Sequence, residues 1–323
     1  MILSRLAPLF DLPLVRNLTR DSLLRMDPET AHGATINALR LGLAPEQHDP
    51  DPPELATHLF GLDFSNPVGM AAGFDKNAEV PKPLARMGFG MVEIGTVTPR
   101  PQAGNDKPRL FRVSAAEGVI NRMGFNNAGH DDVFARLKGA HVGAVLGVNI
   151  GANKTSEDFV ADYVAGVTRF AEVADYLTIN ISSPNTPGLR NLQAADALER
   201  LLDEVLKARS KAKVRVPVLL KIAPDLEEHQ MDEIARVIAA TDLDGLIVSN
   251  TTLSRDPVTG MENATEAGGL SGKPLFALST RRLAQMRQRV GRLPIIGAGG
   301  IHSPSTAVQK FEAGADAIQL YSA

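Results

Sequence analysis

Cysteine is absent from this 323-residue chain. That excludes a disulfide framework, a cysteine-ligated zinc or iron–sulfur site, and any cysteine nucleophile or base. Tryptophan is absent too, and aromatic residues make up 5% of the chain, too few for the stacking platforms that hold single-stranded nucleic acid. Neither sign of charge prevails. Lys plus Arg number 34 against 37 Asp plus Glu, a net charge of −3, so no nucleic-acid partner is expected. No apolar run reaches the roughly 20 residues that cross a bilayer. Even the charge-free stretch from Leu293 to Gln309 is broken by Gly297, Gly299, Gly300, His302, Ser303 and Ser305. Arg5, Asp11, Pro13 and Arg16 interrupt any signal-peptide core at the N-terminus. The seven histidines show no metal-ligand spacing, so no metal is expected.

What is present is ordinary globular composition, 44% hydrophobic and 22% charged. Residues 1–44 read as helical. Asp27-Pro28-Glu29 is a helix start, with an Asp cap, Pro at the first position and acid in the first turn. Gly42 is a helix stop. The segment mixes Leu, Ile, Val and Phe with Arg5, Arg16, Arg20 and Arg25 and has no Lys. Two readings stand: a helical arm packed on its own domain, or an amphipathic element lying on an anionic membrane surface. Residues 45–67 form a linker and the lead-in to the next domain, stiffened by Pro45, Pro50, Pro52 and Pro53.

Eight apolar runs of strand length follow: Val68–Ala71, Met91–Gly95, Val145–Ile150, Tyr176–Ile181, Pro217–Ile222, Gly245–Ser249, Pro294–Ala298 and Asp316–Leu320. Most are apolar throughout, as in a parallel sheet covered on both faces. Amphipathic stretches separate most of them, among them Ala194–Ser210, Gln230–Thr241 and Thr280–Val290. Gly88, Gly245 and Gly314 stand where helix stops belong. The pattern predicts an α/β fold, a (β/α)₈ TIM barrel with an N-terminal helical extension. Residues 68–323 form the barrel, close to the typical length of about 250. The chain ends three residues after the eighth run, which leaves no room for a last helix and points to a trimmed C-terminus.

Function in such barrels sits at the C-terminal ends of the strands. Those ends carry Asn, Ser, Thr, Gly and two lysines, Lys76 and Lys221, and no paired carboxylates, which disfavours glycoside hydrolysis. The set suits a planar, amide-rich ligand plus an anion. Gly299-Gly300 after the seventh run and Tyr321-Ser322 after the eighth lie where this fold binds phosphate, although a Gly-Ala-Gly-Gly turn is by itself only a tight turn. Lys221 reads in three ways: a lysine snorkelling at a strand end, a Schiff-base amine, or a fixed charge facing a cofactor that becomes anionic. Ser183 reads as turn chemistry or as a base that needs activation.

At these residues the chain resembles the quinone-dependent (class 2) dihydroorotate dehydrogenases. The resemblance runs from Asp27-Pro28-Glu29-Thr30-Ala31-His32 to Gln319-Leu320-Tyr321-Ser322. It includes Ala71-Ala72-Gly73-Phe74-Asp75-Lys76-Asn77, Glu93-Ile94-Gly95-Thr96-Val97-Thr98-Pro99, Asn121-Arg122-Met123-Gly124-Phe125-Asn126, Asn180 to Thr186, Lys221-Ile222-Ala223-Pro224-Asp225-Leu226 and Gly268-Gly269-Leu270-Ser271-Gly272.

The resemblance implies FMN as cofactor and oxidation of dihydroorotate to orotate in pyrimidine synthesis, with a membrane quinone, ubiquinone or menaquinone, as acceptor. Ala72, Gly73, Thr96, Asn149, Asn180, Lys221, Ser249, Gly272, Gly299, Gly300, Tyr321 and Ser322 would hold FMN. Lys76, Asn121, Arg122, Met123, Gly124, Phe125, Asn180, Asn185, Asn250 and Thr251 would hold the substrate. Ser183 would take the proton from C5 while hydride leaves C6 for flavin N5, with Phe125 and Thr186 shaping the proton's exit. Residues 1–44 would form a membrane-facing quinone tunnel with His32 and Arg112 near the quinone; Arg112 otherwise reads as an ordinary surface strand residue. Class 1 members use cysteine at the Ser183 position, and one subtype recruits an iron–sulfur partner. A chain without cysteine therefore implies no such subunit. It would sit peripherally on the cytoplasmic face of the cell membrane if bacterial. Orotate is a planar imide with a carboxylate, so asparagines can read its edges and Lys76 can pair its charge. A Schiff-base aldolase using Lys221 and a non-catalytic phosphate-binding barrel are the rival classes.

Overall fold

The computed structural model describes residues 13–322; the expectation of helix over residues 1–12 lies outside them. Helix α1 spans Pro13–Arg25 and α2 Pro28–Arg40. The Asp27 carboxylate accepts from the Thr30 N–H at 2.9 Å, Pro28 fills the first turn, and Gly42 at φ 76° ends the helix, so the start and stop signals both operate. Strands β1 (Thr57–Leu59) and β2 (Leu62–Phe64) pair as a hairpin within the stretch expected to be linker. Its turn needs positive φ at Phe60 (56°) and Gly61 (81°).

The remaining elements alternate. In chain order they are β3 (Val68–Met70), α3 (Pro81–Arg86), β4 (Met91–Val97), β5 (Leu110–Val113), β6 (Gly118–Asn121), α4 (Gly129–Leu137), β7 (Val145–Ile150), α5 (Phe159–Phe170) and β8 (Tyr176–Asn180). Then come α6 (Ala195–Ser210), β9 (Val218–Ile222), α7 (Glu228–Ala239), β10 (Gly245–Val248), β11 (Gly269–Gly272), α8 (Phe276–Val290), β12 (Ile295–Ala298), α9 (Pro304–Glu312) and β13 (Ala317–Leu320). Strands β3, β4, β7, β8, β9, β10, β12 and β13 close a parallel barrel, β13 pairing back on β3 with Gln319 opposite Gly69. The eight barrel strands are the eight apolar runs of the sequence.

Every residue of β4, β8 and β9 is buried, because helices cover one face of each strand and the barrel interior fills the other. The interior is packed tightly enough to dictate glycine: a Cβ on Gly147 would stand 2.2 Å from the Tyr176 ring. At the N-terminal end the β1–β2 hairpin inserts Phe60 and Phe64 against Met91, Tyr176 and Leu219 and floors the barrel. Contrary to expectation, Gly245 is not a helix stop but the first residue of β10. It is glycine because a Cβ would lie 2.5 Å from the Phe60 ring. Gly88 and Gly314, at φ 98° and 104°, do end α3 and α9.

Strands β5, β6 and β11 form a separate antiparallel sheet with Asn121 opposite both Leu110 and Gly269. It stands over the C-terminal rim. Two arginines tie the helical arm to it. Arg109 meets Glu29 at 2.7 Å, and Arg112 of β5 donates to the carbonyls of Leu23, Leu24 and Met26 at the end of α1, at 3.1, 3.2 and 2.6 Å.

Candidate functional site

A cavity of about 380 Å³ opens between the strand ends, the rim sheet and α2. Its size falls within the span of small-molecule sites, about 300–1,000 Å³. Of the residues expected to hold FMN, Ala72, Gly73, Thr96, Asn180, Lys221, Ser249, Gly272, Gly299, Gly300, Tyr321 and Ser322 line it. Asn149 lies one layer deeper, fully buried, and accepts from Thr96 Oγ1 at 2.5 Å and from Asn180 Nδ2 at 3.2 Å. Of the expected substrate residues, Lys76, Asn121, Met123, Gly124, Phe125, Asn185, Asn250 and Thr251 line it as well. Arg122 does not. Its guanidinium is taken by Glu266 at 2.6 Å and stacks 4.4 Å over the Phe111 ring.

The asparagines hold one another. Asn250 Nδ2 donates to Asn180 Oδ1 at 3.2 Å and to Ser182 Oγ at 2.9 Å, while Asn180 Nδ2 donates to Thr96 Oγ1 at 3.0 Å. Across the cavity Asn185 Nδ2 donates to Asn121 Oδ1 at 3.2 Å. Amides locked in this way present fixed donors and acceptors to a planar ligand.

Below them lies Glu93, an interior hub that sits within one of the sequence motifs but was given no role there. Its carboxylate accepts from Asn149 Nδ2 (2.7 Å), Tyr176 OH (2.9 Å), Thr178 Oγ1 (3.2 Å) and Gln319 Nε2 (2.8 Å). A charged residue in the middle of an apolar run was the only signal.

Lys221 is buried at the end of β9, and among the described residues its Nζ has no hydrogen-bond acceptor. Burial pulls its pKa down, and Glu93 partly opposes that. An ammonium left without a hydrogen-bond acceptor in a cavity wall calls for an electron-rich ligand. The donor set therefore fits FMN: a buried cation, the amide layer, and Gly299 and Gly300 with the Ser271–Ser322 hydroxyl pair (2.9 Å) on the side expected for phosphate.

Ser183 sits in the wall, 5% exposed. Its Oγ accepts the Asn185 N–H at 3.2 Å, so the turn chemistry is real, and among the described residues its proton goes to no acceptor. Thr186 is not in the wall. It is buried beside Ser183's turn, with an Oγ1 that finds no partner among the described residues. Phe125 holds a left-handed backbone at φ 52° with its ring toward Gly151, where a Cβ would stand 3.0 Å away.

Lys76 Nζ donates to Gly73 O at 2.5 Å, and burial, partly offset by Glu29, lowers its pKa to about 8. Burial, and then the Lys76 charge, hold His32 down at about 4. His32 is therefore neutral at ordinary pH and sits edge-on to Phe74 at 5.3 Å. Arg112 lines the cavity beside it and caps α1, so it is more than a surface strand residue. No cluster of metal-ligating side chains occurs among the described residues.

Residues 54–323 match the family model described as dihydroorotate dehydrogenase. Proteins named dihydroorotate dehydrogenase (quinone) from Allorhizobium ampelinum and Rhizobium meliloti are each 60% identical over 313 residues, 95% of this chain and 86% of theirs. The crystal structure of an Eimeria tenella DHODH in complex with ferulenol is similar at a TM-score of 0.88 and 42% identity, covering 92% of this chain and 86% of that one.

Proposed function

The chain belongs to the dihydroorotate dehydrogenase family, and on that premise we propose that the rim cavity holds both FMN and dihydroorotate while α1 and α2 receive the quinone. The activity is oxidation of dihydroorotate to orotate, with FMN as cofactor and a quinone as acceptor. The observation that carries the site reading is Lys221, a buried ammonium facing the cavity with no acceptor among the described residues.

FMN held there would supply the acceptor for the electron pair that leaves the substrate, and the Lys221 ammonium would favour the charge gained. The chain's own residues do the rest. Lys76 pairs the substrate carboxylate. Asn121, Asn185 and Asn250 fix the ring by its amide edges. Ser183 keeps a second lone pair free of the Asn185 N–H and would take the C5 proton on it while giving up its own hydroxyl proton. Phe125 in the cavity wall and the buried Thr186 beside the Ser183 turn would flank the proton's way out.

The quinone is received on the arm. His32 is neutral there and suits a quinone carbonyl better than an anion. Leu18 and Leu24 leave 60% and 55% of their surface open on α1, an apolar face supporting peripheral attachment to the cytoplasmic face of the membrane. No helix among the described residues is long and apolar enough to cross a membrane. Electrons go directly to ubiquinone or menaquinone, without an iron–sulfur subunit.

An anaerobic visible spectrum before and after dihydroorotate tests this reading. The flavin bands should bleach, then return with a soluble quinone and not with NAD or fumarate. A flavin that fails to bleach overturns the substrate assignment. A protein that binds no FMN overturns the cofactor assignment and returns Lys221 to amine chemistry.

A further inference from the structure

Lys310 of α9 is fully buried, has no carboxylate partner among the described residues, and belongs to no group assigned above. Its Nζ donates to Ser279 Oγ at 2.7 Å and lies 5.3 Å from the Phe276 ring. An ammonium has donors only, so Ser279 Oγ accepts from Lys310 and must spend its single proton on a carbonyl. Two are in reach: Gly299 O at 2.9 Å and Phe276 O at 3.1 Å. Phe276 O already receives the Thr280 hydroxyl at 2.7 Å. Gly299 O is the better placed acceptor, and the chain runs Lys310 to Ser279 to the Gly299 carbonyl.

The direction of that carbonyl has a consequence. In a trans peptide the C=O and the following N–H point opposite ways. A Gly299 carbonyl drawn back toward Ser279 and α8 turns the Gly300 N–H forward, toward the cavity that Gly299 and Gly300 line. Gly299 and Gly300 hold φ at 100° and 76°, and a Cβ on Gly300 would stand 2.4 Å from the Phe276 amide nitrogen. The turn has no slack of its own, yet a glycine pair has many conformations open to it.

We propose that Lys310, acting through Ser279, is a positioning residue that fixes the Gly299–Gly300 peptide so that its N–H meets the phosphate of the bound flavin. Below about pH 7 the Lys310 charge adds a favourable field behind that anion. Desolvation brings Lys310 down to about 7, a large penalty for a residue with only a packing role. The proposal rests on the reading that FMN occupies this cavity.

The test uses the full-length holoprotein and Lys310→Met and Ser279→Ala variants, the second keeping the question open if the first folds poorly. Flavin fluorescence follows FMN release on dilution and then rebinding of FMN or of riboflavin, which lacks the phosphate. Both variants should bind FMN about tenfold or more weaker, with riboflavin within about twofold of the parent, and the double variant should be no worse than Lys310→Met. Equal weakening of both flavins, or none, overturns the positioning role. A parent protein that prefers neither flavin overturns the phosphate site beneath it, and one that holds neither overturns the FMN reading.

Discussion

A serine hydroxyl is a weak base, so its surroundings must supply the activation. Around Ser183 the Asn185 N–H engages one lone pair and lowers its basicity, so the activation has to come from an acceptor for the Ser183 proton, and among the described residues none holds it. Ser183→Ala should retain FMN and slow substrate-driven bleaching by about 10²–10⁴-fold, read by anaerobic stopped flow. An unchanged bleaching rate would remove Ser183 from the base role. Lys76 gives a pH signature. Its folded pKa is depressed to about 8, so the charge that pairs the substrate carboxylate is present below that pH and lost above it. The value of kcat/KM for dihydroorotate should therefore fall by about tenfold per pH unit above about 8. A profile that stays flat well into the alkaline range would mean that another group pairs the carboxylate.

At the scale of elements, the arm is held by arginines as well as by the buried Ile36 and Leu39 of α2. Glu29 accepts from Arg109 through both carboxylate oxygens, at 3.3 and 3.2 Å from Nε and 2.7 Å from the guanidinium, with Lys107 at 3.2 Å. Glu29→Gln strands a buried guanidinium and should destabilise the protein by about 1.5–3 kcal/mol, seen as a lower melting temperature. Deleting residues 1–40 should impair quinone reduction far more than flavin bleaching; equal loss of both would show that α2 is structural. The strands legible in the sequence were those whose two faces are both covered, since a short continuous apolar run such as Val218–Ile222 is what a strand buried on both sides requires. The rim sheet was not legible. Gly269–Gly272 has no strand propensity, and its partner Gly118–Asn121 lies about 150 residues earlier, so only tertiary pairing makes it a strand. Asn149 and Glu93 show the same limit within the site. Their spacing gives no sign that they share one hydrogen bond beneath the cavity.

For the whole molecule, the cavity brings together residues from seven of the eight barrel strand ends or the loops that follow them, from the rim sheet and from α2, so an occupant ties distant parts of the chain to one another. A ligand bound only by the folded state stabilises it by about 2.7 kcal/mol at a hundred times its Kd. Stripping FMN should therefore lower the melting temperature, and adding it back should restore it in a concentration-dependent way. Unchanged melting would mean that the folded chain does not bind the flavin selectively.

The hairpin carrying Phe60 and Phe64 turns the barrel into a cul-de-sac. Among the described residues the cavity opens at the opposite end, so small molecules come and go across the same crowded doorstep. A substitution at the doorstep can therefore alter that traffic without disturbing the walls.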